Sequence, residues 1–199
     1  MEAVNGALRR VPTWCVYVAL ALPAPYLLSL ALTGGLGVDP VKALEHQLGR
    51  WALWLLLAGL AVSPLRNHFH LNLLKFRRAL GLMAFYYVVL HLLVWLVLDV
   101  QIVSQIWADI VKRPYITVGM LAFICMVPLA ATSTNAAIRR LGSKWRRLHR
   151  LTYLIVPLGA LHFVMVAKGF QIEPLLYLAA AVLLVALRAP LKRRRGIKA

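Results

Sequence analysis

Hydrophobic residues along this chain cluster in six long stretches that are separated by short polar segments. As a helix, each stretch is long enough to cross about 30 Å of hydrocarbon. The predicted transmembrane spans cover residues 14–33, 47–65, 79–98, 115–131, 151–167 and 172–187. Pro23 and Pro25 predict a kink in the first span, because proline interrupts the helical hydrogen-bond ladder. The pattern therefore predicts an all-α integral membrane protein, built as a six-transmembrane-helix bundle.

The predicted domain organisation is simple. Residues 14–187 form one transmembrane domain, preceded by an N-terminal tail at 1–13 and followed by a basic C-terminal tail at 188–199. The connections are too short for a soluble domain, and none carries a phosphate-binding loop or a dinucleotide-binding fingerprint. We therefore expect that this chain does not itself oxidise NADH or NADPH.

Composition and charge narrow the class of partner. Hydrophobic residues make up 62% of the chain and charged residues 15%, while the formal net charge is +17. Such a charge on a soluble domain would suggest nucleic acid, but so apolar a chain cannot build a solvated basic face. We expect no nucleic-acid partner and attribute the charge to membrane lipid.

The charges are distributed unequally between the two sides of the predicted bundle. The basic residues on the side opposite the termini are Lys42, Arg50, Lys112, Arg113 and Lys168. The rest of the 23 Lys and Arg residues lie on the side that carries both tails, whereas every acidic residue except Glu2 lies opposite. The positive-inside rule therefore predicts that both termini are cytoplasmic, with the basic loops against anionic lipid head groups.

Two histidines lie deep inside predicted spans. His91 follows Arg78 by thirteen residues and His162 follows His149 by thirteen, so the two reach the same depth from the basic side. Ionisable residues inside a bilayer are costly and mark functional sites. Two neutral imidazoles on neighbouring helices could bind one metal centre axially, and haem iron accepts such ligation. The alternative is that each histidine hydrogen-bonds a neighbouring helix.

An aromatic face accompanies the first of these histidines. Tyr87, His91 and Trp95 follow one another at four-residue steps and so share one side of a helix. We expect this face to be buried in the bundle, where a flat macrocycle could stack against it.

The basic side offers further candidate residues. Thirteen residues of helix place His149 about 20 Å from His162, far enough for a second cofactor, but Arg77 occupies the facing position that a second histidine ligand would need. We expect one haem near the outer face, with His149 as the candidate ligand of a second. Arg77 and Arg78 are candidates for contacts to haem propionates or a flavin phosphate, or serve as positive-inside anchors.

Three connections carry predictions of their own. The polar cluster at 132–135 is suited to capping a helix. It precedes an amphipathic segment whose apolar residues at helical spacing are Ile138, Leu141, Trp145 and Leu148. We expect this segment to lie along the membrane interface. On the other side, the connections 36–45 and 99–114 are the candidate docking surface for a partner.

Four segments carry a resemblance to a known family: GGLGVDPVKALEHQLGRWAL, RRALGLMAFYYVVLH, RPYITVGM and TSTNAAIRRLGSKWRRLHRLTYL. They resemble the MsrQ (YedZ) family, the haem-binding membrane subunits of bacterial periplasmic methionine sulfoxide reductase systems, over essentially the whole chain. More broadly, the six spans resemble the ferric-reductase-like transmembrane domain, which holds b-type haems through histidines on its third and fifth helices. His91 and His162 match those histidines, and His149 matches a third one.

The resemblance implies a function. Members of this family sit in the bacterial inner membrane and pass electrons, as non-catalytic subunits, to a periplasmic molybdopterin-containing subunit that reduces methionine sulfoxide in oxidised proteins. The implied cofactors are one or two haems b, together with FMN. The implied donor is either the quinone pool or a cytosolic flavin reductase.

Two other classes of function stay open from the residues alone. A stand-alone membrane quinol or metal-ion reductase would need the same haem but no periplasmic partner. A transporter or structural membrane anchor would use the histidines as proton relays or helix contacts.

Overall fold

The computed structural model describes residues 2–167 and 169–188. Lys168 and residues 189–199 of the predicted C-terminal tail therefore lie outside the described residues. Within the described ranges every regular element is helical. The α-helices are α1 (Glu2–Arg10), α2 (Thr13–Ala21), α3 (Pro23–Leu32), α4 (Pro40–Phe69), α5 (Arg77–Val94), α6 (Val103–Lys112), α7 (Pro114–Ala131), α8 (Asn135–Leu141), α9 (Ser143–Leu148), α10 (Thr152–Val166) and α11 (Ile172–Ala186). Leu74–Phe76 and His149–Leu151 are 3₁₀ turns, and Trp95–Val100 is π-helical.

Five helical stretches in the described part of the chain are long and apolar enough to cross a membrane. They are Thr13–Leu32, Pro40–Phe69, Leu74–Val100, Pro114–Ala131 and Ser143–Val166. These confirm five of the six predicted spans as helices. The sixth, α11, is apolar but has only 15 residues, about 22 Å of helix, so the structure does not confirm it as a full span.

The first span is interrupted where its prolines predicted. Helix α2 ends at Ala21 and α3 begins at Pro23, with Leu22 between them. Proline is favoured at the first position of a helix, where its missing N–H costs nothing. The break therefore follows from the position of Pro23.

The predicted connection at 36–45 is shorter than expected. Helix α4 already begins at Pro40, because the Asp39 side chain accepts a hydrogen bond from the Lys42 backbone N–H at 3.2 Å and caps the helix. The connection at 99–114 also differs from expectation, since α6 occupies most of it. Both parts of the candidate docking surface thus contain helix rather than open loop.

The connection at 132–150 combines a confirmed prediction with a correction. Thr134 caps α8 by accepting from the Ala137 N–H at 3.1 Å, as the polar cluster predicted. The amphipathic segment is helical but not continuous, because Gly142 adopts a left-handed φ of 52° between α8 and α9. Trp145, expected at the membrane interface, donates its Nε1–H to the Thr132 carbonyl at 3.0 Å.

The N-terminal tail forms α1, which docks onto the connection between α4 and α5. The Asn5 side chain donates to the His70 carbonyl at 2.8 Å and accepts from the Asn72 N–H at 2.9 Å. The Lys75 ammonium donates to the carbonyls of Arg9 and Val11. These contacts hold the segment before the first span against the bundle.

Helix α4 forms the centre of the bundle. Its residues Leu44, Leu48 and Ala52 are buried in one cluster with Met83 and Tyr87 of α5. Their spacing of four residues places them on one face of α4. Leu53 and Leu60 belong to a second buried cluster with α10 and α11. Because α4 packs on both sides, it fixes α5 and α10 relative to each other.

Tyr87 anchors the packing of α5. Its side chain is fully buried, its ring stacks on Trp51 at 5.8 Å, and its hydroxyl donates to the Leu20 carbonyl of α2 at 2.8 Å. Trp95 is only 8% exposed. The prediction that this face is buried is confirmed for Tyr87 and Trp95, whereas His91 is partly buried. Tyr87 uses its ring to contact α4.

Replacing Tyr87→Phe is expected to reduce the free energy of unfolding by about 0.6 to 1.7 kcal/mol, the usual contribution of an interhelical hydrogen bond in a membrane protein. The ring contacts stay, so only the bond to Leu20 is lost. The matched control is Tyr86→Phe, because the Tyr86 hydroxyl makes no hydrogen bond to any described residue. Thermal unfolding of the detergent-solubilised protein measures the difference; equal midpoints for the two variants would contradict the assignment.

Candidate functional site

The structure brings His91 of α5 and His162 of α10 together. Their ring centroids are 6.2 Å apart and the ring planes meet at 81°. Each histidine is partly buried between helices. The sequence predicts that His91 and His162 lie at the same depth in the membrane, and the structure places their rings next to each other.

Both rings are oriented by a backbone carbonyl of a neighbouring helix. The Nδ1 of His91 lies 2.8 Å from the Glu45 carbonyl oxygen of α4, and the Nδ1 of His162 lies 2.7 Å from the Tyr115 carbonyl oxygen of α7. A carbonyl can only accept, so each Nδ1 must carry the proton. In a neutral imidazole this leaves the lone pair on Nε2, which is the arrangement of a metal-ligating histidine.

The spacing of the rings fits one shared metal ion. Metal–imidazole bonds of about 2 Å, with about 1 Å more from each ligating nitrogen to its ring centre, give about 6 Å between centroids. The observed separation is 6.2 Å. Two Nε2 ligands on opposite sides of one ion satisfy this distance.

The donor set points to a metal that brings its own ligands. Among the described residues, no group of three or more His, Cys, Asp and Glu side chains could hold a metal ion. A bare structural zinc ion would need four protein ligands. Haem iron already has four macrocycle nitrogens and needs only two axial ligands, and the pair of histidines supplies that number.

Two glycines lie directly against the imidazoles. A Cβ built on Gly49 would come 3.2 Å from the Nδ1 of His91, and one built on Gly119 would come 2.9 Å from the Nδ1 of His162. Sequence analysis missed both residues. The only feature of the sequence that could have identified them is a glycine inside an apolar span, and such glycines are common wherever transmembrane helices pack closely.

The helix that carries His91 changes from α-helical to π-helical geometry at Trp95, four residues after the histidine. The N–H of Trp95 bonds to the carbonyls of His91 and Leu92, and a π-helical segment follows to Val100. Short π-helical insertions are frequent at functional sites. The π-helical segment is followed by Gln101, whose φ of 61° turns the chain toward α6.

His149 is not brought to the other two histidines. Its Nε2 lies 3.2 Å from the Thr132 hydroxyl, and its ring stacks on Trp145 at 3.9 Å. It begins the 3₁₀ turn that leads into α10, and α10 then continues through Pro157. Between His149 and His162 the chain therefore departs from α-helical geometry at the turn that begins with His149, and it remains α-helical at Pro157.

The basic candidates lie at the end of the bundle where α4 and α7 finish, which we call the basic end. Arg78 donates to the Asn135 side chain at 2.7 Å, while Arg77 is exposed. Arg188, predicted only as part of the C-terminal tail, donates to Ser63 at 2.8 Å, while its buried Nε and Nη1 have no hydrogen-bond partner among the described residues. Burial, with a further contribution from the charge of Arg77, lowers the pKa of Arg188. In the described part of the chain, no carboxylate pairs with these three arginines.

The opposite end, which we call the ion-paired end, has the reverse character. Three ion pairs in the described residues lie there: Lys42–Asp39 at 3.4 Å, Arg50–Glu173 at 3.5 Å and Arg113–Asp109 at 3.1 Å. The second pair joins α4 to α11 one residue from Gly49. The sequence predicts equal numbers of basic and acidic residues on this side, and these three ion pairs bring part of them into direct contact.

Comparison with known proteins identifies the family of this chain. The sequence model of the family described as ferric reductase like transmembrane component matches residues 19–160. The chain is 50% identical to the protein-methionine-sulfoxide reductase heme-binding subunit MsrQ of Agrobacterium fabrum, over 88% of this chain and 82% of that protein. It is 49% identical to the MsrQ of Rhizobium meliloti, over 97% and 90%, and 46% identical to that of Brucella ovis, over 92% and 84%. No solved structure matches.

The chain is an all-helical protein with several helices apolar enough to cross a membrane, and it belongs to the ferric-reductase-like transmembrane family, whose model matches most of it. Within that class the chain belongs to the MsrQ family of haem-binding subunits. The resemblance drawn from the four sequence segments is confirmed.

The tautomer of both histidines can be measured in the haem-free protein. We expect Nδ1 of His91 and His162 to be protonated and Nε2 to be unprotonated at neutral pH, because a carbonyl oxygen accepts from each Nδ1. Nitrogen-15 NMR of histidine-labelled protein distinguishes the two forms. His68 is exposed and its ring makes no hydrogen bond to any described residue, so it serves as the reference for an unconstrained ring. An Nε2–H signal from His91 or His162 would contradict the orientation.

Proposed function

We propose that this chain is a haem b-containing electron-transfer subunit of the bacterial inner membrane. It passes electrons to a periplasmic, molybdopterin-containing methionine sulfoxide reductase and so supports repair of oxidised periplasmic proteins. The observation that carries the proposal is the His91–His162 pair, 6.2 Å apart with both Nδ1 atoms bonded to carbonyls. Its relatives are named as haem-binding subunits of protein-methionine-sulfoxide reductase.

The proposed mechanism is electron transfer, with no bond-making chemistry at the chain itself. Haem, when bound, supplies one-electron redox chemistry. His91 and His162 would hold the iron through Nε2, because the Glu45 and Tyr115 carbonyls keep each ring in the tautomer with Nδ1 protonated. With haem bound, the imidazoles and the extent to which α4, α5, α7 and α10 exclude water would together set its redox potential.

The basic end is the proposed entry side. Arg77 and Arg78 are expected to contact an anionic group there, either a haem propionate or the phosphate of FMN, because arginine binds both through charged hydrogen bonds. The unpartnered nitrogens of Arg188 add to the positive potential at this end. Electrons arrive from the quinone pool or from a cytosolic flavin reductase.

The ion-paired end is the proposed exit side, which faces the periplasm if the basic end and both termini face the cytoplasm. His91 and His162 lie near this end, since Glu45 and Tyr115 are close to the first residues of α4 and α7. The short connection before α4, together with α6, is then the surface on which the catalytic subunit docks.

His149 is proposed as the ligand of a second haem at the basic end. For that role it must exchange its contact with the Thr132 hydroxyl for a metal bond. The second axial position has no histidine on α5, where Arg77 stands. We therefore expect one firmly bound haem and a second, more weakly held one.

The ligand assignment is tested by haem content. We expect His91→Ala and His162→Ala each to lose most of the haem, and His149→Ala to lose a smaller part. His68→Ala, at the exposed end of α4, is the control and should match the unmodified chain. A dithionite-reduced minus oxidised absorption spectrum of the detergent-purified protein, with haem quantified per chain, gives the answer.

Three outcomes would contradict the proposal. Unchanged haem in His91→Ala would remove that residue from the site. A colourless unmodified protein, expressed with ample haem supply, would favour the transporter or anchor alternative. A coloured protein that reduces ferric chelate from quinol, but delivers no electrons to a methionine sulfoxide reductase subunit, would favour the stand-alone reductase.

A further inference from the structure

The two facing histidines are held by the same local arrangement, built twice on different helices. On α4 the Glu45 carbonyl accepts from His91, and Gly49 lies four residues later against the same ring. On α7 the Tyr115 carbonyl accepts from His162, and Gly119 lies four residues later. Residues four apart lie one above the other on a helix. Each imidazole therefore lies along one face of a helix, between a carbonyl and a glycine.

The glycine is needed because of where a helical carbonyl points. The carbonyl of residue i points toward the N–H of residue i+4 and already accepts a bond from it. A second donor must approach that oxygen beside residue i+4. A side chain at this position would stand in the way, and the short contacts that a Cβ would make with both rings show how little space is left.

We propose that Gly49 and Gly119 are positioning residues for the iron ligands. By lacking a side chain, each glycine lets an imidazole share the carbonyl four residues earlier, which fixes Nε2 as the ligating nitrogen and sets the plane of the ring. The inference rests on the proposed function, in which His91 and His162 bind haem iron.

The other helical glycines of the described bundle have a different environment. A Cβ on Gly59 of α4 or Gly81 of α5 would have nothing within 4 Å, and one on Gly159 of α10 would meet Leu53 at 3.8 Å, an ordinary contact. Close approach to a histidine is thus specific to Gly49 and Gly119. Gly59 and Gly81 provide matched controls, because alanine fits there and is the better helix former.

The distances predict a rank order. At Gly119 the added Cβ would lie 2.9 Å from Nδ1 and 3.0 Å from Cε1 of His162, so the ring must move. At Gly49 the corresponding distances to His91 are 3.2 and 3.3 Å, which a shift of a few tenths of an ångström relieves. Gly119→Ala should therefore have a larger effect than Gly49→Ala.

The experiment compares Gly119→Ala, Gly49→Ala, Gly59→Ala and Gly81→Ala in the full-length protein. We expect haem affinity, measured by haem transfer to apomyoglobin, to fall about 10- to 100-fold in Gly119→Ala, as for other losses of support around a metal ligand. Gly49→Ala should show a smaller loss. Both should shift the largest g value of the ferric haem in electron paramagnetic resonance, because that value depends on the angle between the imidazole planes. The controls should match the unmodified protein in both measurements.

The result separates this inference from the function on which it rests. If His91→Ala and His162→Ala lose haem while Gly119→Ala and Gly49→Ala keep unmodified affinity and g values, only the glycine proposal is overturned. If the histidine variants keep their haem, the ligand assignment fails and the glycine proposal fails with it. If Gly119→Ala does not fold, Gly49→Ala decides, because its smaller overlap leaves the helix packing intact; an unshifted g value there overturns the proposal.

Discussion

The hydrogen bond from each imidazole Nδ1 to a helix carbonyl is the interaction on which the site depends. Inside a bilayer a polar group without a partner is costly, and an imidazole has two nitrogens to satisfy. Binding one of them to a carbonyl leaves a single nitrogen, Nε2, with its lone pair free. The same bonds that make His91 and His162 tolerable in an apolar bundle thus also prepare them to bind a metal.

This arrangement requires α4 and α7 to lie against the helices that carry the histidines. Helix α4 meets that requirement because it packs on both sides, with α5 through one buried cluster and with α10 and α11 through another. Its length of 30 residues allows it to supply the Glu45 carbonyl near one end and the Gly59 and Ser63 contacts to Arg188 near the other. The central helix therefore links the two ends of the bundle as well as its two sides.

The two ends differ in how their charges are satisfied. At the ion-paired end, Arg50 contacts Glu173 across helices, Lys42 pairs with Asp39 at the start of α4, and Arg113 pairs with Asp109 at the end of α6. At the basic end, Arg77, Arg78 and Arg188 have only neutral partners or none in the described structure. Guanidinium groups in such surroundings attract anions, either lipid head groups or the acidic groups of a cofactor. The asymmetry gives the bundle one end suited to anionic ligands and one that is nearly neutral.

The sequence by itself determined the class of protein, five of the spans and the identity of the paired histidines, because apolar length and buried ionisable residues are visible in a one-dimensional pattern. It also located the break before Pro23 and the cap at Thr134, which are local effects. The sequence did not predict where α4 begins, that α6 is a helix, or that the chain breaks at Gly142. Helix caps and amphipathic turns decide these features, and the hydrophobic pattern does not show them. Only the tertiary structure decided which nitrogen of each imidazole is free, which carbonyls accept the protons, and that Gly49 and Gly119 lie beneath the rings, because these depend on how distant helices pack.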